Sequence, residues 1–259
     1  MTLHQKLLCS IASLGASAAC LAGMSTSASA MNFVPQQQGE INVGLGCLES
    51  CITVDPIFES IVSLEDSTSG TQSRLFVDYF GDGDKTTTYG NGQSKVKFKT
   101  KDAGTNSTGF WFRPSERQVL GQDDAGNDIF GTEEKGQLEV GTYLFNFSQT
   151  LEELTIDFFD TESWDTTGVL AINGQSLDNP DYVAKGRDGN VASQTFYNVT
   201  SLELKLGFDK AKGTGDGVNF RMSGVPAPQS VPEPAAALGL LAIAGLGLAR
   251  KQKSAAAND

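Results

Sequence analysis

Short runs in which apolar and polar residues alternate fill the middle of the chain. Tyr143–Phe147 and Leu154–Phe158 both alternate with a period of two, which is typical of a strand with one packed and one solvated face. Lys95–Lys101, Ser201–Leu206 and Val218–Met222 alternate in the same way, and Arg74–Phe80, Phe110–Arg113 and Val169–Ile172 are further candidate strands. Glycine, asparagine and aspartate separate the runs, and Asn173-Gly174 predicts a hairpin turn because both residues tolerate a positive φ.

Roughly ten to twelve such strands, without alternating helices, predict an all-β domain. We expect two packed antiparallel sheets, arranged as a jelly-roll-like sandwich and formed by residues 31–224. The exception is Asp55–Leu64, where the spacing of apolar residues allows one or two helical turns. A proline-rich linker, residues 225–230, follows the domain.

The first 30 residues have the three parts of a secretory signal peptide. Lys6 makes the start of the chain positive, and Leu7–Gly23 is apolar. Ala28 and Ala30 then supply the small side chains that signal peptidase accepts before its cleavage site. We therefore expect export with removal of residues 1–30. The alternative is a retained N-terminal anchor, but the apolar stretch is shorter than the ~20 residues that a membrane span prefers.

The C-terminal segment, residues 231–253, combines a short motif, an apolar stretch and a basic cluster. The motif consists of Val231, Pro232, Glu233 and Pro234, and the cluster contains Arg250, Lys251 and Lys253. Between them Ala235–Ala249 carries no charge, and as a helix it would cover about 22 Å of a hydrocarbon core ~30 Å thick. A short span with a basic cytoplasmic end predicts transient inner-membrane anchoring. An ordinary single-pass anchor is the alternative, and residues 254–259 form a polar tail.

This order of Pro232-Glu233-Pro234, apolar helix and basic cluster resembles the PEP-CTERM sorting signal of bacterial surface proteins. Leu138–Gly141, with the sequence Leu-Glu-Val-Gly, lies in a stretch similar to the LEVG family of PEP-CTERM proteins, known chiefly from cyanobacteria. The resemblance implies Gram-negative export, recognition of the motif by an exosortase, and release of the domain to the cell surface or the exopolysaccharide matrix. It implies no catalytic residues.

The charge and the histidine content exclude several classes of function. The chain has 31 Asp and Glu against 19 Lys and Arg, a net charge of −12, whereas a protein that binds nucleic acid needs a basic face. The single histidine is His4, which would leave with the signal peptide. Histidine-dependent nucleophilic catalysis and His-ligated zinc are therefore excluded from the exported domain.

Cys47 and Cys51 are the cysteines that remain after loss of the signal peptide. In an oxidising compartment, two cysteines so close in sequence predict a local disulfide. Zinc binding would need two more soft ligands, and the exported domain has neither histidine nor further cysteine.

Acidic loops make Ca²⁺ the cofactor that best suits this sequence, because its ligands are hard oxygens without nitrogen or sulfur. We expect a structural Ca²⁺ first at Asp160, Glu162 and Asp165, which follow a predicted core strand, and next at Asp82 and Asp84. None of these loops has the EF-hand pattern. The alternative is that the acidic residues are solvated and bind no ion.

Two tryptophans are candidates for stacking on sugar rings, because indole offers a flat apolar face. Trp111 lies in the run Phe110–Phe112, where a core or sheet-covering position is favoured over an exposed one. Trp164 lies in an acidic loop, where the two interpretations are balanced.

Together these features predict an exported, non-catalytic protein of the cell surface or extracellular matrix, with a structural or adhesive role. Extracellular polysaccharide is the expected partner, with Ca²⁺ as a bridge. The alternative is a polysaccharide-active hydrolase or lyase, in which two carboxyl groups about 5–9.5 Å apart act as acid and as base or nucleophile.

Overall fold

The structure is a computed structural model that describes residues 29–81, 86–91, 94–99, 108–116, 118–122, 124–125, 128–131, 139–209 and 216–228. These ranges contain fourteen strands and no helix, so the prediction of an all-β domain is confirmed. Residues 1–28, Asp82, Asp84 and residues 231–259, on which parts of the prediction rest, lie outside the described residues. Along the described ranges, no helix has the length and apolar character that a membrane crossing requires.

The strands are short at the start of the chain and long towards its end. In chain order they are β1 (Met31–Asn32), β2 (Gly39–Ile41), β3 (Phe58–Leu64), β4 (Arg74–Phe80), β5 (Thr86–Asn91), β6 (Ser94–Lys99), β7 (Gly109–Ser115), β8 (Gln118–Gln122), β9 (Asp128–Gly131), β10 (Gly141–Phe159), β11 (Gly168–Ile172), β12 (Gln175–Tyr182), β13 (Val191–Leu206) and β14 (Asn219–Pro226).

Ten of these strands form one continuous sheet rather than two separate ones. Its order is β12-β11-β13-β10-β14-β7-β4-β2, with β1 paired to β14 and β3 paired to β10. The other four described strands form two small sheets, β5-β6 and β8-β9. Every pair of neighbouring strands is antiparallel, as predicted.

β10 and β13 run through both halves of the large sheet. The first part of β10, Gly141–Asn146, pairs with β3 on one side and with the end of β13 on the other. Its last part, Leu154–Phe159, pairs with β14 and with the start of β13. The register shifts between Asn146 and Leu151, and such a shift bends a strand so that it can pass from one layer to the next. The runs Tyr143–Phe147 and Leu154–Phe158 are therefore two ends of a single strand.

Aromatic side chains fill the space between the two halves. Phe58 of β3 meets Phe112 of β7 with ring centroids 6.3 Å apart, and Phe145 of β10 meets Phe220 of β14 at 6.0 Å. β3 and the first part of β10 belong to one half, whereas β7 and β14 belong to the other. The sheet therefore folds over and encloses one core, as the layers of a sandwich do.

The β5-β6 hairpin covers part of the outer surface of the folded sheet. Phe76 of β4 contacts Tyr89 of β5 and Phe98 of β6, with ring centroids 4.7 and 5.3 Å apart. Arg113 of β7 lies opposite Phe76 in register, and its guanidinium carbon is 4.3 Å from the centre of the Phe98 ring. The outward-facing residues of β4 and β7 are consequently buried beneath a third layer.

Two buried carboxylates accept hydrogen bonds from Arg113. Its Nη1 donates to Oδ2 of Asp78 at 3.0 Å, while its Nη2 and Nε donate to Oε1 of Glu139 at 2.6 and 2.9 Å. All three side chains are buried, so removal of Arg113 would leave two uncompensated carboxylates in the interior. Glu139 belongs to the Leu-Glu-Val-Gly stretch, and this network ties that stretch to β4 and β7.

Two local predictions have opposite outcomes. The helical turns considered for Asp55–Leu64 are wrong, because Phe58–Leu64 is strand β3 and its backbone pairs with β10. The hairpin at Asn173-Gly174 is confirmed: the two residues have φ of 54° and 73° and join β11 to β12.

Candidate functional site

The carboxylates of Asp160, Glu162 and Asp188 lie close together, next to the end of β10 and the start of β13. Asp160 and Glu162 follow β10, and Asp188 precedes β13. Because Phe159 of β10 pairs with Val191 of β13, the two loops lie side by side. One oxygen from each carboxylate lies within 4.8 Å of the others. Such oxygens suit Ca²⁺, which takes about six to eight of them at roughly 2.3–2.6 Å.

Backbone hydrogen bonds hold Asp160 in this position. Its N–H donates to the carbonyl oxygen of Asn190 at 2.9 Å, and its Oδ1 accepts from the N–H of Gly189 at 2.6 Å. The φ of Asp160 is 65°, in the left-handed region that residues other than glycine seldom occupy. Strain of this kind persists where the surrounding structure determines the conformation.

Asp216, which precedes β14, holds the loop that carries Glu162 and Trp164. Its carboxylate accepts hydrogen bonds from the N–H groups of Glu162 and Ser163, both at 3.0 Å, and from Oγ1 of Thr166 at 3.1 Å. Burial raises the pKa of the Asp216 carboxyl, although these hydrogen bonds lower it in part. Asp216 therefore positions the loop by accepting three hydrogen bonds at once.

The electrostatics of the group favour a cation. Burial is the largest cause of a raised pKa at Asp160, and the charges of Glu162, Asp188 and Glu139 raise this pKa further, whereas the hydrogen bond from Gly189 lowers it. A carboxylate surrounded by like charges is costly to ionise. A cation among the three carboxylates would remove that cost.

The structure brings together two of the three residues first predicted as calcium ligands. Asp160 and Glu162 lie in the group, whereas Asp165 is exposed, has a φ of 58° and lies outside it. Asp188 completes the group instead. Sequence reasoning missed Asp188 as a partner of Asp160 because their contact depends on how β10 pairs with β13. The secondary candidates, Asp82 and Asp84, lie outside the described residues.

The two tryptophans have opposite environments. Trp111 is fully buried, packs against Phe159, and has the guanidinium carbon of Arg221 4.5 Å from the centre of its ring. The prediction that Trp111 stacks on a saccharide is therefore wrong, because the faces of its ring already contact protein. Trp164 is 63% exposed, on the loop that Asp216 holds. Its indole is accessible to a ligand.

The disulfide loop, Cys47–Cys51, is attached to β2. The two cysteines are bonded, with Cα atoms 5.5 Å apart. Glu40 of β2 makes the attachment: its carbonyl oxygen accepts from the N–H of Ile52 at 2.9 Å, and its Oε2 accepts from the N–H of Leu48 at 2.5 Å. Its Oε1 pairs with Nη1 of Arg74. Both carboxylate oxygens of Glu40 are thus engaged.

A cleft of about 220 Å³ lies between the disulfide loop and the β5-β6 hairpin. Polar and apolar side chains both line it, the polar ones being Gln37, Gln38, Glu40, Glu49 and Ser50, and the apolar ones Leu48, Ile52 and Tyr89. Sequence reasoning did not find this cleft, because its walls come from segments that only the fold brings together. The closely spaced cysteines were the one local signal.

Comparison of the chain with protein-family models, with curated proteins and with solved structures finds no match to any of them. The function proposed below therefore rests on the residues of this chain and their geometry.

Proposed function

We propose that this protein is exported and delivered through a PEP-CTERM signal to the cell surface or the extracellular polysaccharide matrix. There its jelly-roll-like β-sandwich has a structural or adhesive role. One observation carries the proposal: a segment with the sequence features of a signal peptide, residues 1–30, precedes the β-strands, and the motif Val231–Pro234 with its apolar stretch and basic cluster follows them. Signal peptidase and an exosortase would be its partners during export, while the segment 231–253 anchors it transiently in the inner membrane.

The positions of the first and last described strands support removal of both ends. β1 begins at Met31, directly after Ala30, and β14 ends at Pro226, before the motif. The two strands pair with each other, with Met31 opposite Gly224. Cleavage at both sites would leave every described strand in place.

The geometry of the Leu-Glu-Val-Gly stretch supports a structural role for it. Glu139 balances the buried Arg113, and Val140 is fully buried. Gly141 has no room for a side chain, because a Cβ there would lie 2.8 Å from the Cβ of Ser73 and from the hydroxyl oxygen of Tyr143. We propose that this stretch determines the fold and binds no ligand.

The carboxylates of the cleft favour a binding role over catalysis. Glu40 and Glu49 both line it, and a hydrolase would need two carboxyl groups free to act on substrate. Arg74 and the N–H of Leu48 engage the two oxygens of Glu40. This arrangement supports the non-catalytic proposal over the polysaccharide-active hydrolase or lyase.

Ca²⁺ enters the proposal as a bridge between the domain and its polymer. Asp160, Glu162 and Asp188 would supply protein oxygens, and sugar hydroxyl or carboxylate groups would complete the shell of six to eight ligands that this ion prefers. The exposed Trp164 lies on the same loop as Glu162 and could contact the sugar rings.

Mass spectrometry of the protein recovered from the cell surface tests the sorting proposal. We expect a polypeptide that begins at Met31 and ends at or near Pro232–Pro234. In the variant Pro232→Ala/Glu233→Ala/Pro234→Ala, we expect the C-terminal segment to be retained and the protein to stay with the inner membrane.

Pro228→Ala is the matched control for this experiment, since it removes a linker proline outside the motif, and it should be processed like the wild type. An intact C-terminus through Asp259 on the surface-exposed protein would contradict exosortase sorting.

A further inference from the structure

We propose that the cleft between the disulfide loop and the β5-β6 hairpin binds one or two units of a neutral saccharide. The inference rests on the proposed role at an extracellular polysaccharide and deepens it, because it names a site and a class of sugar. Neither Trp111 nor the acidic group at Asp160 takes part in this site.

The walls of the cleft are fixed without a ligand. Nε2 of Gln38 donates to Oδ1 of Asp78 at 2.7 Å, and the hydroxyl of Tyr89 donates to the carbonyl oxygen of Val77 at 2.9 Å. Gly39 allows Ile52 to close against β2, because a Cβ at Gly39 would lie 2.2 Å from Cγ2 of Ile52. The disulfide and Glu40 hold the opposite side of the cleft. Few side chains or loops would therefore have to be ordered when a ligand binds, so the entropic cost of binding is small.

The two kinds of lining match the two kinds of surface on a pyranose ring. Leu48, Ile52 and Tyr89 supply apolar lining of a kind that suits the C–H face of a sugar. Gln37 and Ser50 are exposed at the cleft, and their amide and hydroxyl groups can both donate to and accept from sugar hydroxyls. A small number of polar groups on a partly apolar cleft is the usual composition of a small-molecule site.

Charge and size narrow the class of sugar. Glu40 and Glu49 line the cleft, and no lysine or arginine of the described chain is among its lining residues. Arg74 pairs with Glu40, so Glu49 is the carboxylate whose charge repels uronates, sulfated sugars and phosphates. The volume of about 220 Å³ equals the share of roughly seven liquid waters, which suits a terminal or side-branch sugar rather than an extended chain.

Isothermal titration calorimetry on the processed protein, with its disulfide intact, tests the inference. The probes are glucose, galactose, mannose and their β-linked disaccharides, with glucuronate as the acidic comparison. We expect at least one neutral sugar to bind with a Kd in the millimolar range or tighter, and glucuronate not to bind. Gln37→Ala/Glu49→Ala should weaken binding at least tenfold, and Ser50→Trp, which fills the cleft, should abolish it.

Gln175→Ala/Glu152→Ala is the matched control, since it makes the same two changes at exposed positions on β12 and β10, away from the cleft. It should bind like the wild type, and all variants should keep the wild-type melting temperature. Undiminished binding by both cleft variants, binding of glucuronate, or no binding of any neutral sugar would each overturn the inference. C-terminal processing is measured separately, so failure here is distinguishable from failure of the sorting proposal.

Discussion

Arg113 and Lys205 are buried cations, and buried carboxylates lie against both of them: Asp78 and Glu139 meet Arg113, and Asp66 meets Nζ of Lys205 at 2.9 Å. Asp160 has carboxylates for neighbours instead, and its pKa is raised. A carboxylate surrounded by other carboxylates does not stabilise the fold. Groups whose pKa is shifted in this way concentrate at functional sites.

Calcium should therefore stabilise the folded domain through Asp160. At a Ca²⁺ concentration of ten to a hundred times its Kd, we expect the free energy of unfolding at pH 7 to rise by about 1.4 to 2.7 kcal/mol. Asp160→Asn should remove this gain, because it takes a charged ligand from the group. Asp165→Asn, an exposed change in the same loop, is the control and should keep it. Urea unfolding with and without EDTA measures the difference.

The raised pKa of Asp160 gives this effect a pH dependence. The folded state holds the proton of Asp160 more tightly than the unfolded chain, so its contribution to stability falls as pH rises from the ordinary aspartate pKa of 3.8 through the raised folded-state pKa. Ca²⁺ competes with that proton and removes the cost of the charge, so the calcium effect should shrink at acid pH. A calcium effect of equal size at pH 4 and pH 7, or none in the wild type at either, would contradict this site.

The candidate residues could be predicted only as far as local chemistry allows. Asp160 and Glu162 stand out because they follow an alternating strand in a loop of oxygen ligands. Asp188 does not, because its place beside them depends on the register of β10 against β13. The burial of Trp111 likewise depends on Phe159 and Arg221, which come from other strands.

At the scale of elements, the glycines at the ends of strands differ in how much space surrounds them. Gly207, which follows β13, has a φ of 61°, and a Cβ there would lie 2.1 Å from the carbonyl oxygen of Asp216 and 2.8 Å from that of Glu139. Gly174, in the β11-β12 hairpin, has a φ of 73° with nothing within 4 Å. The two glycines share a left-handed backbone and differ in the space around them.

Gly207→Ala should therefore destabilise the domain far more than Gly174→Ala. We expect about 1 kcal/mol for Gly174→Ala, from the left-handed conformation alone. Gly207→Ala should cost about 3 kcal/mol or more, because the neighbouring atoms are backbone carbonyls that cannot move aside cheaply. Urea unfolding of the two variants measures both losses. Equal losses of stability in the two variants would show that the carbonyl oxygen of Asp216 does not exclude a side chain at position 207.

The positions of the strands along the chain can be predicted from the sequence far better than their order in the sheet. The sequence predicts β4 with the bounds that it has, Arg74–Phe80, because a short run rich in apolar residues that ends before a glycine is a property of neighbouring residues. The continuity of β10 was not predicted, since the polar residues between Asn146 and Leu151 interrupt the alternation while the backbone stays extended through a register shift. Strand β3 was mistaken for helical turns because Ile57, Phe58 and Ile61 also fit a helical spacing.

At the scale of the whole molecule, the first and last described strands pair with each other, and we expect residues 31–228 to fold independently of the rest of the chain. A chain spanning 31–228 should unfold cooperatively at the same temperature as the protein recovered from the cell surface, within about 2 °C. Loss of residues 1–30 and 229–259 removes no described strand. Circular dichroism melting measures both.

A chain spanning 33–228 is the matched control, since it lacks only Met31–Asn32 and their pairing with β14. It should be less stable by about 1 kcal/mol, the usual net contribution of one or two backbone hydrogen bonds. A chain of 31–228 that fails to fold would show that the ends contribute to the core.

β14 lies inside the large sheet, between β10 and β7, and the chain leaves the domain from it towards the motif at Val231. A protein tethered at that end receives any mechanical pull along the axis of β14. Antiparallel hydrogen bonds run perpendicular to their strands, so such a pull shears the whole row between β14 and β10 together instead of unzipping it bond by bond.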